Sequence, residues 1–121
     1  MKILLAEDDS MIADIYQKKF EISKYEVAIA TGGKEVLKKV REGKFDLILL
    51  DLVFPEIGGM ELLKQIKKEN YSPEAKVVIF SNLNEEENQK EAFRLGADGF
   101  IRKSQFTPEE VLAEIKKIMK Q

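Results

Sequence analysis

The sequence contains no cysteine and no histidine, and these two absences remove several kinds of chemistry. Without cysteine there is no disulfide scaffold, no thiolate zinc site and no cysteine nucleophile. Without histidine the usual general base and the commonest metal ligand are missing, which excludes a Ser-His-Asp triad. Any metal ion must therefore be held by oxygen atoms, and oxygen ligands favour Mg²⁺, Ca²⁺ or Mn²⁺.

Long apolar runs and an excess of one charge are also missing. No apolar run approaches the ~20 residues of a membrane span, and the N-terminus lacks a signal-peptide pattern. We therefore expect a cytoplasmic protein that does not contact a membrane. Because 22 acidic side chains nearly balance 20 basic ones, direct nucleic-acid binding is not expected of this chain. The length of 121 residues predicts a single domain over 1–121.

Short apolar segments alternate with amphipathic ones, which predicts an α/β protein with helices on both faces of a parallel sheet. The predicted strands are Lys2–Ala6, Glu26–Ala30, Asp46–Asp51, Lys76–Ser81 and Gly99–Arg102. Right-handed crossovers then give a (βα)5 three-layer sandwich, a five-stranded parallel sheet in the flavodoxin-like order 2-1-3-4-5.

The fourth predicted helix, about Glu85–Leu95, differs from the others in composition. Its first turns are polar, and apolar anchors occur only at Ala92, Phe93 and Leu95. A helix with so few anchors is expected to move more easily than its neighbours. The alternative interpretation is an ordinary solvated surface helix.

Charged and polar residues follow the predicted strands at the sheet edge where such folds bind ligands. Along the chain they are Glu7, Asp8, Asp51, Ser81 and Lys103. Singly, residues of this kind have ordinary roles, and Asp9 or Ser10 would simply cap the first helix. Together, three carboxylates on one rim repel each other unless a cation such as Mg²⁺ neutralises them. A hydroxyl and an ammonium beside them would stabilise a phosphoryl group, so the set predicts a phosphoryl-transfer site.

The same residues stand in the order of a known family. Ile3–Asp9, Asp46–Pro55 with Gly59, and Gly96–Lys103 resemble the receiver domain of two-component response regulators, the CheY-like family. The resemblance covers nearly the whole chain. It implies the CheY-like form of the fold and a phosphoprotein of a phosphorelay signal transduction system.

By this resemblance, Asp51 is the phospho-acceptor, whose carboxylate attacks phosphorus to form 4-aspartylphosphate. The resemblance also implies a Mg²⁺ site, in which Mn²⁺ is a possible substitute. Asp8 and Asp51 would bind the ion directly, Glu7 would act through a water molecule, and Val53 would contribute its backbone carbonyl.

The resemblance further implies a switch and a set of partners. Ser81 and Lys103 would bind the phosphoryl group, and phosphorylation would draw Ser81 inward so that Phe100 turns in. The phosphoryl group would come from a sensor histidine kinase or a phosphotransfer protein. A downstream protein would dock on the fourth helix, fifth strand and fifth helix, or the chain would form a phosphorylation-dependent homodimer. The protein would not be an enzyme, since it catalyses only its own phosphorylation and slow dephosphorylation.

Some positions depart from the family pattern or are expected to affect the rate of dephosphorylation. Val53 stands two residues after the acceptor Asp51, and Leu83 stands two residues after Ser81. Neither side chain can orient a water molecule by a hydrogen bond. Asn82 replaces the usual small residue, so access to the site is tighter. These three residues predict slow self-dephosphorylation, unless they are merely local packing. Ser104 replaces the common proline after the lysine, and Gly58 replaces a frequent aspartate.

Three alternatives compete with an active receiver. A haloacid-dehalogenase-like phosphatase normally has a second aspartate two residues after the first, where this chain has Val53. A flavodoxin needs a phosphate loop after the first strand, and Glu7-Asp8-Asp9 would repel a flavin phosphate. The stronger alternative is a pseudo-receiver, a phosphorylation-independent protein-binding module. Such proteins usually lose an acidic residue, the acceptor or the lysine, and here all are retained.

Overall fold

The computed structural model describes residues 1–83 and 86–120. Within them, strands and helices alternate along the chain as the sequence predicts. The strands are β1 (Lys2–Ala6), β2 (Glu26–Ala30), β3 (Leu47–Leu50), β4 (Lys76–Ser81) and β5 (Gly99–Arg102). The helices are α1 (Ser10–Ile22), α2 (Gly33–Glu42), α3 (Gly59–Lys68), α4 (Glu86–Arg94) and α5 (Pro108–Met119), with a 3₁₀ helix at Lys103–Gln105.

The strands form one parallel sheet in the order β2-β1-β3-β4-β5, which confirms the predicted topology. Ile3 of β1, for example, lies between Val27 of β2 and Leu47 of β3. From β1 the chain first adds β2 on one side of β1, and it then crosses to the other side to add β3, β4 and β5. The strand order therefore reverses between β1 and β3. Folds of this kind bind ligands beyond the carboxyl ends of the strands at that point.

Side chains of the central strands alternate between two apolar cores, which gives the predicted three layers. Ile3 and Leu5 join the core formed with α1 and α5, whereas Leu4 and Ala6 join the core formed with α2, α3 and α4. Because the central strands are covered on both faces, their sequences are continuous apolar runs. All of Leu47–Leu50 in β3 is buried, as this arrangement requires.

The third strand, Leu47–Leu50, is one residue shorter at each end than the predicted Asp46–Asp51, and the carboxylates of both flanking aspartates accept backbone hydrogen bonds. Asp46 Oδ2 accepts a hydrogen bond of 2.7 Å from the backbone amide of Lys2. Asp51 Oδ1 accepts one of 3.1 Å from the backbone amide of Val53, which turns the chain out of the strand. Asp51 therefore lies immediately beyond β3, at the carboxyl edge of the sheet.

Helix α4 is only lightly attached to the rest of the molecule. Of its residues Glu86–Arg94, all of them in the described part of the chain, Ala92 alone is buried. Phe93, predicted as an anchor, is 50% exposed instead. The predicted helix start at Glu85 lies outside the described residues. No helix among residues 1–83 and 86–120 is long and apolar enough to cross a membrane.

Candidate functional site

An open pocket of about 370 Å³ lies at the carboxyl edge of the sheet, where the strand order reverses. Residues at or just beyond the ends of β1, β3, β4 and β5, together with one residue of α1, line it. They are Glu7, Asp8, Asp9, Ile12, Asp51, Val53, Ser81, Asn82, Leu83 and Lys103. The topology thus brings together residues that are far apart in sequence but each close to the end of a strand.

Three carboxylates meet in this pocket. One oxygen atom from each of Glu7, Asp8 and Asp51 lies within 4.8 Å of the other two. Glu7 is 1% exposed and Asp51 is 8% exposed, whereas Asp8 faces solvent. Two buried carboxylates at this separation repel each other strongly unless a positive charge lies between them.

Lys103 supplies a positive charge at this place. Its Nζ donates a hydrogen bond of 2.6 Å to Asp51 Oδ2 and another to Glu7 Oε1. Burial by itself lowers the pKa of Lys103, but the hydrogen bonds and charges of Asp51 and Glu7 outweigh it and raise the pKa above its ordinary value. Lys103 is therefore an ammonium ion that bridges the two buried carboxylates at neutral pH.

The remaining oxygens of the two buried carboxylates bind backbone amides two residues further along the chain. Glu7 Oε2 accepts a hydrogen bond of 3.1 Å from Asp9, and Asp51 Oδ1 accepts one of 3.1 Å from Val53. Each carboxylate is thus held at both oxygens. Asp9 itself caps α1, since its Oδ1 accepts bonds from Met11 and Ile12, as the capping interpretation predicts.

The opposite side of the pocket is formed by the residues at the end of β4. Ser81 is 1% exposed, and its hydroxyl accepts a hydrogen bond of 3.3 Å from the backbone amide of Leu83. Leu83 and Val53 are 38% and 63% exposed, so apolar side chains stand at the mouth of an otherwise charged pocket. Asn82 lies beside them and is also exposed.

Every predicted site residue except Phe100 lines this pocket. Phe100 lies in β5 opposite Ile79 of β4, and its ring packs partly buried against the core beneath α2, α3 and α4. Phe100 is therefore a neighbour of the site through β4 rather than a part of its lining. The peptide bond between Lys103 and Ser104, where the family commonly has proline after the lysine, is trans.

Two features near the site were not predicted from the sequence. Ile12, on the first turn of α1, adds an apolar contact to the pocket lining. Glu56, in the loop between β3 and α3, binds the start of α2 through its carboxylate. Glu56 is 22 residues from its partner Lys34, and no spacing rule for helices or strands links such positions.

The doubly wound α/β fold, with an acidic pocket and a bridging lysine where the strand order reverses, is the arrangement that the resemblance to receiver domains implies. The model of the response regulator receiver domain family matches residues 3–116. The chain belongs to this family, with the CheY-like fold of two-component signalling proteins.

Several known proteins are similar to the chain. It is 34% identical over 119 residues to the alkaline phosphatase synthesis transcriptional regulatory protein PhoP of Bacillus subtilis, covering 98% of this chain and 48% of PhoP. It thus spans about half the length of the curated relatives it matches. A CheY-like receiver domain protein from Methanospirillum hungatei is 32% identical with a TM-score of 0.89, covering 98% of this chain and 93% of that one. The receiver domain of a Francisella response regulator is 32% identical with a TM-score of 0.88, covering 98% and 96% of the two chains.

Proposed function

We propose that the chain is a phosphorylatable receiver in which Asp51 accepts a phosphoryl group from a histidine kinase or a phosphotransfer protein. The observation that carries this proposal is the meeting of Glu7, Asp8 and Asp51 around the Lys103 ammonium in one open pocket. A pseudo-receiver has no need to keep two buried carboxylates and a partly buried lysine, because burying charged groups is costly.

The donor set of the pocket fits Mg²⁺, with Mn²⁺ as a substitute. The three side chains that could bind a metal ion each offer a carboxylate oxygen. Mg²⁺ is typically held by one or two carboxylates together with water and phosphate oxygens. Asp8 and Asp51 would bind the ion directly, Glu7 through a water molecule, and Val53 through its backbone carbonyl. The ion would supply positive charge that stabilises the oxygens of the transferring phosphoryl group.

The chain's own residues account for the remaining chemistry. A carboxylate oxygen of Asp51 forms a bond to phosphorus while the bond from phosphorus to the donor nitrogen breaks, and the bonding electrons remain on that nitrogen. Lys103, already bonded to Asp51 Oδ2, pairs with the negative charge of the phosphoryl oxygens. The Ser81 hydroxyl turns to donate a hydrogen bond to one of these oxygens. The protein catalyses only its own phosphorylation and dephosphorylation and has no separate substrate.

The proposed switch transmits this event to the surface. Movement of Ser81 toward the phosphoryl group would let the half-buried ring of Phe100 turn inward. The light attachment of α4, which buries only Ala92, supports an output surface formed by α4, β5 and α5. A downstream protein, or a second phosphorylated copy of the chain, would bind there in the cytoplasm.

Slow loss of the phosphoryl group is the next part of the proposal. Val53 and Leu83 stand at the mouth of the pocket, and their apolar side chains offer no hydrogen bond to an attacking water. Leu83→Glu should therefore shorten the acyl-phosphate half-life by about tenfold, since a positioned acid or base contributes that much or more. The decay is followed by intact mass, with Leu83→Met as the matched apolar control. An unchanged or longer half-life in Leu83→Glu would show that Leu83 is only packing.

The experiment that tests the function is incubation with Mg²⁺ and acetyl phosphate, followed by intact mass measurement. We expect one phosphoryl adduct that requires Mg²⁺ and that is missing in Asp51→Asn. If the folded protein binds Mg²⁺ but forms no adduct, the same incubation of Asn82→Ala tests whether access is blocked. Continued absence of the adduct in Asn82→Ala would favour the pseudo-receiver, a binding module that acts without phosphorylation.

A further inference from the structure

The loop between β3 and α3, residues 52–58, is attached to the first turn of α2. The backbone amide of Gly33 donates a hydrogen bond of 3.1 Å to the carbonyl of Pro55. The backbone amide of Lys34 donates one of 3.2 Å to Glu56 Oε1. A Cβ atom on Gly33 would lie 2.6 Å from Cβ of Ile57, so the loop also packs directly against this glycine.

Glu56 holds an unusual backbone conformation in this loop. Its φ is +69°, in the left-handed region that non-glycine residues seldom adopt. The amide of Ile57 donates a hydrogen bond of 2.8 Å to the carbonyl of Pro55, which makes Glu56 the centre of a three-residue turn of the rare, strained kind. Such a conformation persists only when surrounding contacts fix it, and the bond from Glu56 to α2 is one of these contacts.

The start of α2 is shaped to receive this carboxylate. Gly32 is the N-cap residue and has no side chain to cap the helix, so the carboxylate of Glu56 takes that role from outside the helix. A Cβ atom on Gly32 would overlap Glu56 Oε1. A negative charge at a helix N-terminus is also favoured by the helix dipole.

The other parts of the same loop touch the site. The backbone amide of Val53 donates a hydrogen bond to Asp51 Oδ1. Gly59 lies so close to the backbone of Asp51 that a Cβ atom on Gly59 would overlap the Asp51 carbonyl oxygen. The amide of Gly59 donates a hydrogen bond of 3.0 Å to the carbonyl of Leu52, which closes the loop. The loop is therefore one closed unit, held by the acceptor strand at one side and by α2 at the other.

We propose that Glu56 is a positioning residue, which holds the loop against α2 so that the Val53 carbonyl and the Asp51 carboxylate keep their places in the pocket. This inference rests on the proposed function, since the Val53 carbonyl is a proposed ligand of Mg²⁺. Glu56 itself contacts neither the ion nor the phosphoryl group. Its effect passes through the backbone between residues 53 and 56.

The first test compares Mg²⁺ binding of the wild type, Glu56→Ala and Glu56→Gln by isothermal titration calorimetry. We expect Glu56→Ala to raise the dissociation constant by about fivefold, the scale set by loss of one capping bond. Glu56→Gln keeps a side-chain oxygen that accepts the Lys34 amide, so its affinity should stay within about twofold of the wild type. Glu74→Ala, in the connection between α3 and β4, is the matched control and should not change affinity. If the wild type binds Mg²⁺ and Glu56→Ala binds it with equal affinity, the inference is overturned.

A double-mutant cycle makes the test specific to this contact. Gly32→Ala should weaken Mg²⁺ binding because its Cβ displaces the Glu56 carboxylate, and it should have no further effect in the Glu56→Ala background. The φ of Gly32 is −151°, extended backbone that alanine adopts freely, so backbone strain does not enter. Additive effects of the two substitutions would contradict the inference, since distant independent sites add and contacting ones do not.

Hydrogen exchange of the Val53 amide in the metal-free protein separates this inference from the proposed function. Glu56→Ala should raise that exchange rate by about fivefold without changing the rates in β1. If the wild type binds no Mg²⁺ while this increase is seen, the proposed function fails and the positioning role of Glu56 stands. An unchanged Val53 rate overturns the positioning role, whatever the wild type does with Mg²⁺.

Discussion

The segments that follow β3 and β4 bound the same pocket, yet they are anchored very differently. Helix α3 buries four of its residues, namely Gly59, Leu62, Leu63 and Ile66. The loop before it is bonded to α2. Helix α4 buries Ala92 alone. Local stability follows the amount of buried apolar contact, so the acceptor side of the pocket is expected to be fixed and the Ser81 side easier to displace.

This difference suits a protein whose chemistry and output are in different places. In the proposed function, Asp51 must keep its carboxylate aligned for attack on phosphorus, and small displacements of reacting atoms cost large factors in rate. A surface that reports the phosphoryl group must instead have two arrangements of similar free energy. The firm attachment of α3 and its loop and the light attachment of α4 would meet both requirements of the proposed function.

The largest expected effect is on the firmly attached side, at Gly59. A Cβ atom there would overlap the carbonyl oxygen of Asp51 and lie 2.6 Å from Cα of Leu52, and backbone atoms cannot give way as a flexible side chain does. We expect Gly59→Ala to lower the free energy of unfolding by about 3 kcal/mol, at the upper end for overpacking. Denaturant unfolding measures this change.

Gly58 provides the matched control for Gly59. The nearest atom to a Cβ on Gly58 is the Leu52 carbonyl oxygen at 4.0 Å, and its φ is −63°, so alanine fits there. Gly58→Ala should lower the free energy of unfolding by no more than about 1 kcal/mol, because alanine at this N-cap of α3 is poorer than glycine but meets no close atom. Equal losses in the two variants would show that the close approach to Asp51 is not what makes glycine necessary.

A smaller expected effect is a difference in amide hydrogen exchange between helices α3 and α4. Amide protons in the middle of α4 should exchange about tenfold faster than those in the middle of α3, because local opening of α4 exposes less apolar surface. Residues 63–66 and 90–93 are the sets to compare by hydrogen exchange in the unphosphorylated protein. Equal protection in the two helices would remove the basis for treating α4 as the displaceable element.

The smallest effect lies at an ion pair outside both regions, between α1 and α5. A hydrogen bond from Lys19 holds the pKa of Glu109 below its ordinary value of 4.5, with help from a backbone hydrogen bond and the charge of Lys19. Because the folded-state pKa is lowered, this contact stabilises the protein above pH 4.5, and the stabilisation is lost as the pH falls through the folded-state pKa.

Lys19→Ala should move the pKa of Glu109 back toward 4.5, which NMR titration of its carboxyl carbon measures directly. Since the pair is on the surface, the stability of the protein at neutral pH should hardly change. Exchange rates in α3 and α4 should be the same as in the wild type. An unaltered Glu109 pKa would show that another group holds it.

The sheet and its order were predictable because the sequence carries the signal of burial on both faces. Short, continuous apolar runs such as Leu47–Leu50 are typical of strands buried on both faces of a parallel sheet. Right-handed crossover connections then restrict the order of the strands. The placement of Glu7, Asp51 and Lys103 followed from the same reasoning, since each comes directly after a strand. Their chemical roles came from family resemblance rather than from the strand pattern.

The remaining features depend on contacts that sequence spacing does not encode. The bond between Glu56 and Lys34 joins a loop to the start of helix α2 across 22 residues of sequence, and the left-handed φ of Glu56 has no sequence signal of its own. The adjacent glycines Gly32 and Gly33 were the one available hint of a close approach. Phe93 satisfied the apolar spacing of an anchor but is half exposed, because the face of α4 that meets the core holds only Ala92.

The most direct test of the account is to find which atom carries the phosphoryl group. The protein is phosphorylated with acetyl phosphate and Mg²⁺ and then treated with borohydride, which reduces an acyl phosphate to an alcohol. Peptide mass spectrometry then locates the reduced residue. We expect homoserine at position 51 and at no other acidic position. Reduction at Glu7 or Asp8, or a stable phosphoryl group that borohydride does not reduce, would contradict it.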